Sequence, residues 1–262
     1  MDLHEGFRDP DRTPAGELVR FLQRADRLPG MRAIRRALRD ALDLRPGMRV
    51  LDAGCGIGLE TARLAAANPD TLVTGLDRNG ELLDVARRRA EPANLRWVEA
   101  DLAALELPAG FFDAIRTERV LMYLAGDGFA RVVGDLVRLL RPEGRLALFE
   151  LDYGGTMLAP GSASEGVLET VGETLHASLP QPLAGRRIPG LLTRHGLSDV
   201  TATPFSFALD EPVWRKIVKD TVTAAAPPDP AVYAWLREQA AAAARGEFVA
   251  AFSGVLTTAR RP

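Results

Sequence analysis

The chain has one cysteine, Cys55, in 262 residues. No internal disulfide is possible, and cysteine usage points to no oxidising compartment. Lysine is nearly missing: of 33 basic residues only Lys216 and Lys219 are lysines, so the positive charge is carried by arginine. With this much alanine, glycine and proline, the bias is the mark of a GC-rich coding sequence and poor evidence for a phosphate-binding surface. The formal net charge is −2, which argues against a dedicated nucleic-acid partner. No apolar run is long enough for an uninterrupted membrane span. The start, Met1-Asp2-Leu3-His4-Glu5, lacks the basic and apolar stretches of a secretory leader, so the expected location is the cytoplasm. Histidine and acidic residues nowhere cluster, and no metal site is expected. No internal repeat appears, and the one biased tract, Ala240 to Ala244, is helix filler.

What is present is a large apolar fraction, 47%, patterned as one α/β core with a cap. The pattern is organised around Val50-Leu51-Asp52-Ala53-Gly54-Cys55-Gly56-Ile57-Gly58, an apolar strand that ends in a carboxylate and breaks into three alternating glycines before a helix opens at Leu59. Such a turn lets backbone approach a ligand closely and aims helix N-terminal N–H groups at it. A dinucleotide fingerprint requires G-x-G-x-x-G; the spacing here is G-x-G-x-G, preceded by Asp52. In these residues the chain resembles the class I, S-adenosylmethionine-dependent methyltransferases, whose first motif is Asp-x-Gly-x-Gly-x-Gly.

In chain order, residues 1 to 14 read as a mobile lead-in, Glu17 to Leu28 as a short helix and Met31 to Leu42 as a second, with Arg32, Arg35, Arg36 and Arg39 on a solvated face. Strands are expected to end at Asp52, at Asp77 after Thr71 to Leu76, at Val98 after Leu95, at Arg116 after Phe111 and at Leu151 after Arg145. Between them lie helices carrying Leu59, Ala62, Leu64 and Ala65; Leu82, Val85, Ala86 and Ala90 after an Asn79 cap; and Phe129, Val132, Val133, Leu136, Val137 and Leu140. After residue 151 the rhythm changes to an insertion, a helix from Ile188 to His195, a strand from Val200 to Leu209, two helices over 211–244 broken at Pro227-Pro228-Asp229-Pro230, and a last strand from Phe248 to Ala259. Alternating strands and helices mean a mostly parallel sheet covered on both faces, with its ligand beyond the strands' carboxyl ends. The resemblance implies an α/β, three-layer αβα sandwich of seven strands, the last antiparallel. The expected organisation is N-terminal helices over the cofactor site in 1–42 and the main domain in 43–262, with lid insertions at about 154–185 and 211–246.

The resemblance also implies roles at the strand ends. Asp52 organises the loop of Gly54, Cys55, Gly56 and Gly58 and meets the methionine amino group. Cys55 suits the loop as a small, packable side chain, a reactive thiol being the alternative. Asp77 offers two carboxylate oxygens to the ribose hydroxyls, with Arg78 beside it; a capping role for Asp77 is weakened because Asn79 suits that position. Asp101 accepts from the adenine amino group and the Leu102 N–H donates to the ring, with Glu99 a competing carboxylate. Thr117 or Glu118 lies beside the methionine end and the transferred methyl, Arg119 being a contact or an ion-pair partner. Phe21 and Arg24 are further candidate contacts.

Methyl transfer from a sulfonium is an in-line displacement that needs alignment more than a nucleophilic side chain, but a hydroxyl or ammonium acceptor also needs a base. The candidates are His176, in the insertion, Tyr123, Glu118, Asp152 and Tyr153. His195 beside Gly196 reads as a helix terminus. Tyr123 stands where many small-molecule relatives carry histidine. After the fourth strand Thr117-Glu118-Arg119-Val120 replaces the Asn-Pro-Pro-Tyr signature of base and glutamine methyltransferases. The expected activity is methyl transfer to a small-molecule acceptor such as a natural product, quinone or lipid-like compound. The alternative is an enzyme of this fold that binds the cofactor but catalyses cyclisation or rearrangement. The oligomeric state stays open, a homodimer being one admissible answer.

Overall fold

The computed structural model describes residues 3–9, 14–89, 92–158, 165–225 and 229–262. Seven strands form one sheet: β1 (Arg49–Ala53), β2 (Leu72–Asp77), β3 (Leu95–Glu99), β4 (Phe112–Glu118), β5 (Leu140–Leu151), β6 (Ser198–Ala208) and β7 (Ala251–Arg260). Their spatial order is β3-β2-β1-β4-β5-β7-β6. The first five pair in parallel, and β7 runs antiparallel between β5 and β6. Order reverses between β1 and β4, the crevice where open α/β sheets bind ligands. Pro204 sits in β6, which has an unpaired side; an edge strand tolerates the missing N–H donor.

The helices among the described residues are α1 (Leu3–Arg8), α2 (Ala15–Ala25), α3 (Pro29–Leu42), α4 (Leu59–Ala67), α5 (Gly80–Arg87), α6 (Gly128–Leu139), α7 (Glu165–Ala177), α8 (Ala184–Arg194), α9 (Glu211–Trp214), α10 (Asp220–Ala225) and α11 (Pro230–Ala244). Pro29 opens α3 at a position where its lost N–H costs nothing. Asn79 caps α5 by accepting from the Leu82 N–H. Inner residues of β5 from Leu146 to Phe149 are fully buried, with both α3 and α8 against the strand.

Several local expectations are corrected. Residues 3–8, expected in a mobile lead-in, form α1, which packs against α2 and the turn after β4. The helix expected from Ile188 begins at Ala184, with Pro189 inside it. Over 211–225, α9 and α10 are joined by a π-helical turn, Arg215–Lys219, which keeps Lys216 on Asp220 (2.9 Å) and on Glu17 of α2. The last strand starts at Ala251 rather than Phe248. Ala90 and the Pro227-Pro228 pair lie outside the described residues.

Arg35 departs most from its expected solvated face. Arg32 and Arg36 are exposed, but Arg35 is buried, because Glu118 and Asp26 accept from its guanidinium.

The edge of the sheet depends on a glycine and tryptophan fit. A Cβ on Gly75 would come within 2.4 Å of the Trp97 ring, and one on Gly58 within 2.3 Å of it. Gly75→Ala should therefore cost about 1–3 kcal/mol by overpacking, read from urea unfolding. Trp97→Leu in the same chain should recover part of that loss, and no recovery would mean the strain lies elsewhere.

Candidate active site

A cavity opens at the carboxyl ends of β1, β2 and β4, lined by the glycine loop, by residues after β2, β3 and β4, and by α1 and α2. The loop is held by backbone: the Gly54 and Cys55 N–H groups donate to the Leu76 carbonyl at 2.7 and 2.9 Å. Gly54, Gly56 and Gly58 all have positive φ, but they answer to different neighbours. A Cβ on Gly54 would sit 2.3 Å from the Val120 side chain, whereas one on Gly56 would meet nothing nearer than Leu22 at 3.5 Å. Two of the three glycines thus admit a side chain of the protein itself. Gly58 is not part of the cavity wall.

Asp77, on the wall, accepts from the Gly56 N–H at 2.7 Å and from the Asn79 N–H at 2.9 Å. Burial pushes its carboxyl up, against the pull of those donors. Asp52, also on the wall, accepts from the Thr61 hydroxyl at 2.6 Å; its carboxyl is raised by burial, opposed by Arg116 and Thr61. Cys55 lines the cavity with its thiol pushed well up by burial and then by Asp52 and Asp77, so it stays protonated. Arg78 lines the cavity and donates to the carbonyls of Phe7, at 2.8 Å, and Arg8, the C-terminal end of α1. Asp101 and Leu102 are on the wall; Asp101 accepts from the Ala103 N–H at 2.8 Å. Phe21 lines the cavity, whereas Arg24 pairs with Asp210. Thr117 is fully buried and not on the wall.

Of the base candidates, Glu118 and Tyr123 line the cavity, as does Tyr153. Glu118 accepts from Arg35 through both oxygens at 2.8 Å, from Arg116 at 2.8 Å and from Arg119 at 3.1 Å. Although burial opposes it, this charge, Arg35 foremost, holds the carboxyl far below the usual range. His176, on α7, is not on the wall, and no described residue from 154 to 185 is. Among the described residues of 211–246, only Ile217 is. Asp152 is clamped by Arg186, both contacts 2.7 Å.

Two wall residues escape sequence reasoning. Arg116 is 1% exposed, donates through Nη2 to Glu118, and leaves Nη1 without a hydrogen-bond partner. The signal was there: an arginine inside an apolar strand. His4, 2% exposed, places Nδ1 3.3 Å from the Tyr123 hydroxyl and Nε2 3.3 Å from the Tyr153 hydroxyl. A lone histidine near a chain start carries no such signal.

The turn after β4 is fixed from beneath. Glu150, fully buried, accepts from the N–H groups of Val120 and Leu121 at 2.8 Å and of Met122 at 3.3 Å. Burial pushes its carboxyl up to about 7 against those donors. The folded state thus keeps a proton that the unfolded chain releases above 4.5, so this contribution to stability is full below that value and is lost as pH rises through about 7. Urea midpoints of the parent protein should fall between about pH 5 and about pH 8 more steeply than those of Glu150→Gln; equal slopes would contradict the assignment.

The family described as "Methyltransferase domain" matches residues 50–144, which runs from β1 into the start of β5. The 27-O-demethylrifamycin SV methyltransferase of Amycolatopsis mediterranei is 33% identical over 166 residues, 62% of this chain and 54% of that protein. The demethylmenaquinone methyltransferase of Thermus thermophilus is 37% identical over 118 residues, 44% of this chain and 52% of that protein. The chain spans about half the length of these curated relatives. Among solved structures, the YcgJ protein of Bacillus subtilis superposes with a TM-score of 0.62 at 16% identity, covering 88% of this chain and 98% of that one. Residues 50–144 are thus similar to a methyltransferase domain, and the seven-stranded sheet, with its last strand antiparallel, has the class I methyltransferase fold.

Proposed function

We propose that the chain transfers the methyl group of S-adenosylmethionine to a small-molecule acceptor. The observation that carries this reading is the Arg116 guanidinium on the cavity wall, buried and with Nη1 unpartnered. A buried donor of this kind is costly unless a ligand satisfies it, and the carboxylate of an amino-acid end suits it. Asp52 beside it, 3.6 Å from Arg116 Nε, suits the amino group. Gly56 leaves room for close backbone approach, and each Asp77 oxygen, with one N–H bond, keeps a lone pair for a ribose hydroxyl. Asp101 and Leu102 then stand at the adenine end.

The cofactor, when bound, supplies an electrophilic methyl on a positively charged sulfur. The rest is alignment and exclusion of water, for which Phe7, Phe21 and Leu22 form an apolar cover. Glu118 is a poor proton acceptor while three arginines hold it, Asp152 is clamped by Arg186 and His176 lies away from the wall, so the tyrosines on the wall, Tyr123 and Tyr153, are the surviving base candidates. The names of the rifamycin and demethylmenaquinone relatives support a small-molecule acceptor.

Isotopically methyl-labelled cofactor, incubated with the protein and extract of the producing cells, should yield a labelled small product by mass spectrometry. Bound cofactor with no label transferred, while an extract component rearranges at constant mass, would favour the ring-forming alternative. Asp77→Ala should weaken S-adenosylhomocysteine binding about ten- to a hundredfold by calorimetry, about 1.4–2.7 kcal/mol; unchanged affinity would remove Asp77 from the ribose role.

A further inference from the structure

Beyond the turn after β4, the cavity wall brings together His4 from α1, Tyr123 from that turn and Tyr153 from the turn after β5. Around them the wall is apolar, with Met122, Leu151 and Ile217. Three polar rings from three parts of the chain meet in a surround that packing alone would fill with hydrocarbon, since burying polar groups is costly unless they pair. They do pair, through both nitrogens of one imidazole. A neutral imidazole has one donor and one acceptor nitrogen, so one tyrosine donates to it and the other accepts from it. That is a path along which a proton can move.

Every carboxylate on the wall has other partners: Asp52 with Thr61, Glu60 with Arg39, Asp77 with two backbone N–H groups, Asp101 with Ala103 and Glu118 with three arginines. Arg186, near Tyr153 in the fold, is clamped on Asp152 and is not on the wall. Among the described residues, this end of the cavity therefore offers neither an unengaged carboxylate to an ammonium nor an unengaged cation to an acid. It offers a proton relay in an apolar setting.

We infer that this end takes a hydroxyl acceptor on an apolar body, of the phenol or enol class, and that Tyr123, His4 and Tyr153 remove its proton. The inference rests on the methyl-transfer reading above. Tyr123, the more open of the two tyrosines, meets the acceptor and donates to His4 Nδ1, while Nε2–H donates to Tyr153 and fixes the ring. Tyr153 is itself held edge-on against Phe252, with ring centroids 5.2 Å apart. In the balanced step the acceptor O–H bond breaks and an O–CH3 bond forms. The acceptor's proton passes to the Tyr123 oxygen, and the Tyr123 proton passes to Nδ1. The positive charge lost with the S–CH3 bond reappears on the imidazolium, so the cavity's net charge does not change. His4 acts through Tyr123 and is a positioning residue.

The test is spectroscopic and needs no natural substrate. 4-Nitrophenol is titrated into the S-adenosylhomocysteine-loaded protein below the phenol's own ionisation midpoint, and phenolate absorbance is read. The parent protein should raise the phenolate-to-phenol ratio of the bound probe about tenfold over free probe, one pKa unit. His4→Gln and Tyr123→Phe should bind S-adenosylhomocysteine within about twofold of the parent, showing an intact fold, and bind the phenol without ionising it. Equal phenolate in His4→Gln, or no phenol binding by the loaded parent, would overturn the relay. Failure of the parent to bind S-adenosylhomocysteine would instead overturn the methyl-transfer reading beneath it. Preferential binding of a tetramethylammonium probe over the phenol would likewise overturn the hydroxyl assignment.

Discussion

A single carboxylate at the end of β4 fixes how the N-terminal helices meet the sheet. Glu118 is gripped by Arg116 of its own strand, by its neighbour Arg119 and by Arg35 of α3. Arg35 also reaches Asp26, which Arg63 of α4 clamps from the other side at 2.6 and 2.7 Å. Glu60 joins the same seam through Arg39 and Arg63. Breaking a buried pair by deleting one member leaves a charge without compensation, typically about 3–5 kcal/mol. Helices α2 and α3 are therefore tied to the sheet by a polar seam as well as by packing, and they form part of the cavity's wall.

The sheet was legible because period and punctuation both belong to local sequence: apolar runs, strand-end carboxylates and the glycine triplet each declare themselves within ten residues. The partners of those residues were not. Gly54 and Gly58 read alike, yet one admits Val120 and the other Trp97, and only the folded chain shows which. Arg35 lies in a helix with three other arginines, and nothing in that pattern marks the one that meets a carboxylate 83 positions away. Helix α1 is too short to show a period, so neither it nor His4 could be read from the chain.

Glu150 shows how such a site can keep its frame while its chemistry varies. It holds the turn after β4 through backbone N–H groups alone, which every residue except proline provides. The side chain at position 123 is then free to differ without loosening the turn.

The six-residue α1 is well below the length, about 12–15 residues, at which a helix persists unaided in water. Its helicity therefore depends on the surface it covers and on Arg78, which donates to its terminal carbonyls. Undocking and unwinding become one event, a small local unfolding step. Departure of α1 from the wall would then steepen with temperature in the manner of a melting segment, and would not follow the shallow dependence of a rigid hinge.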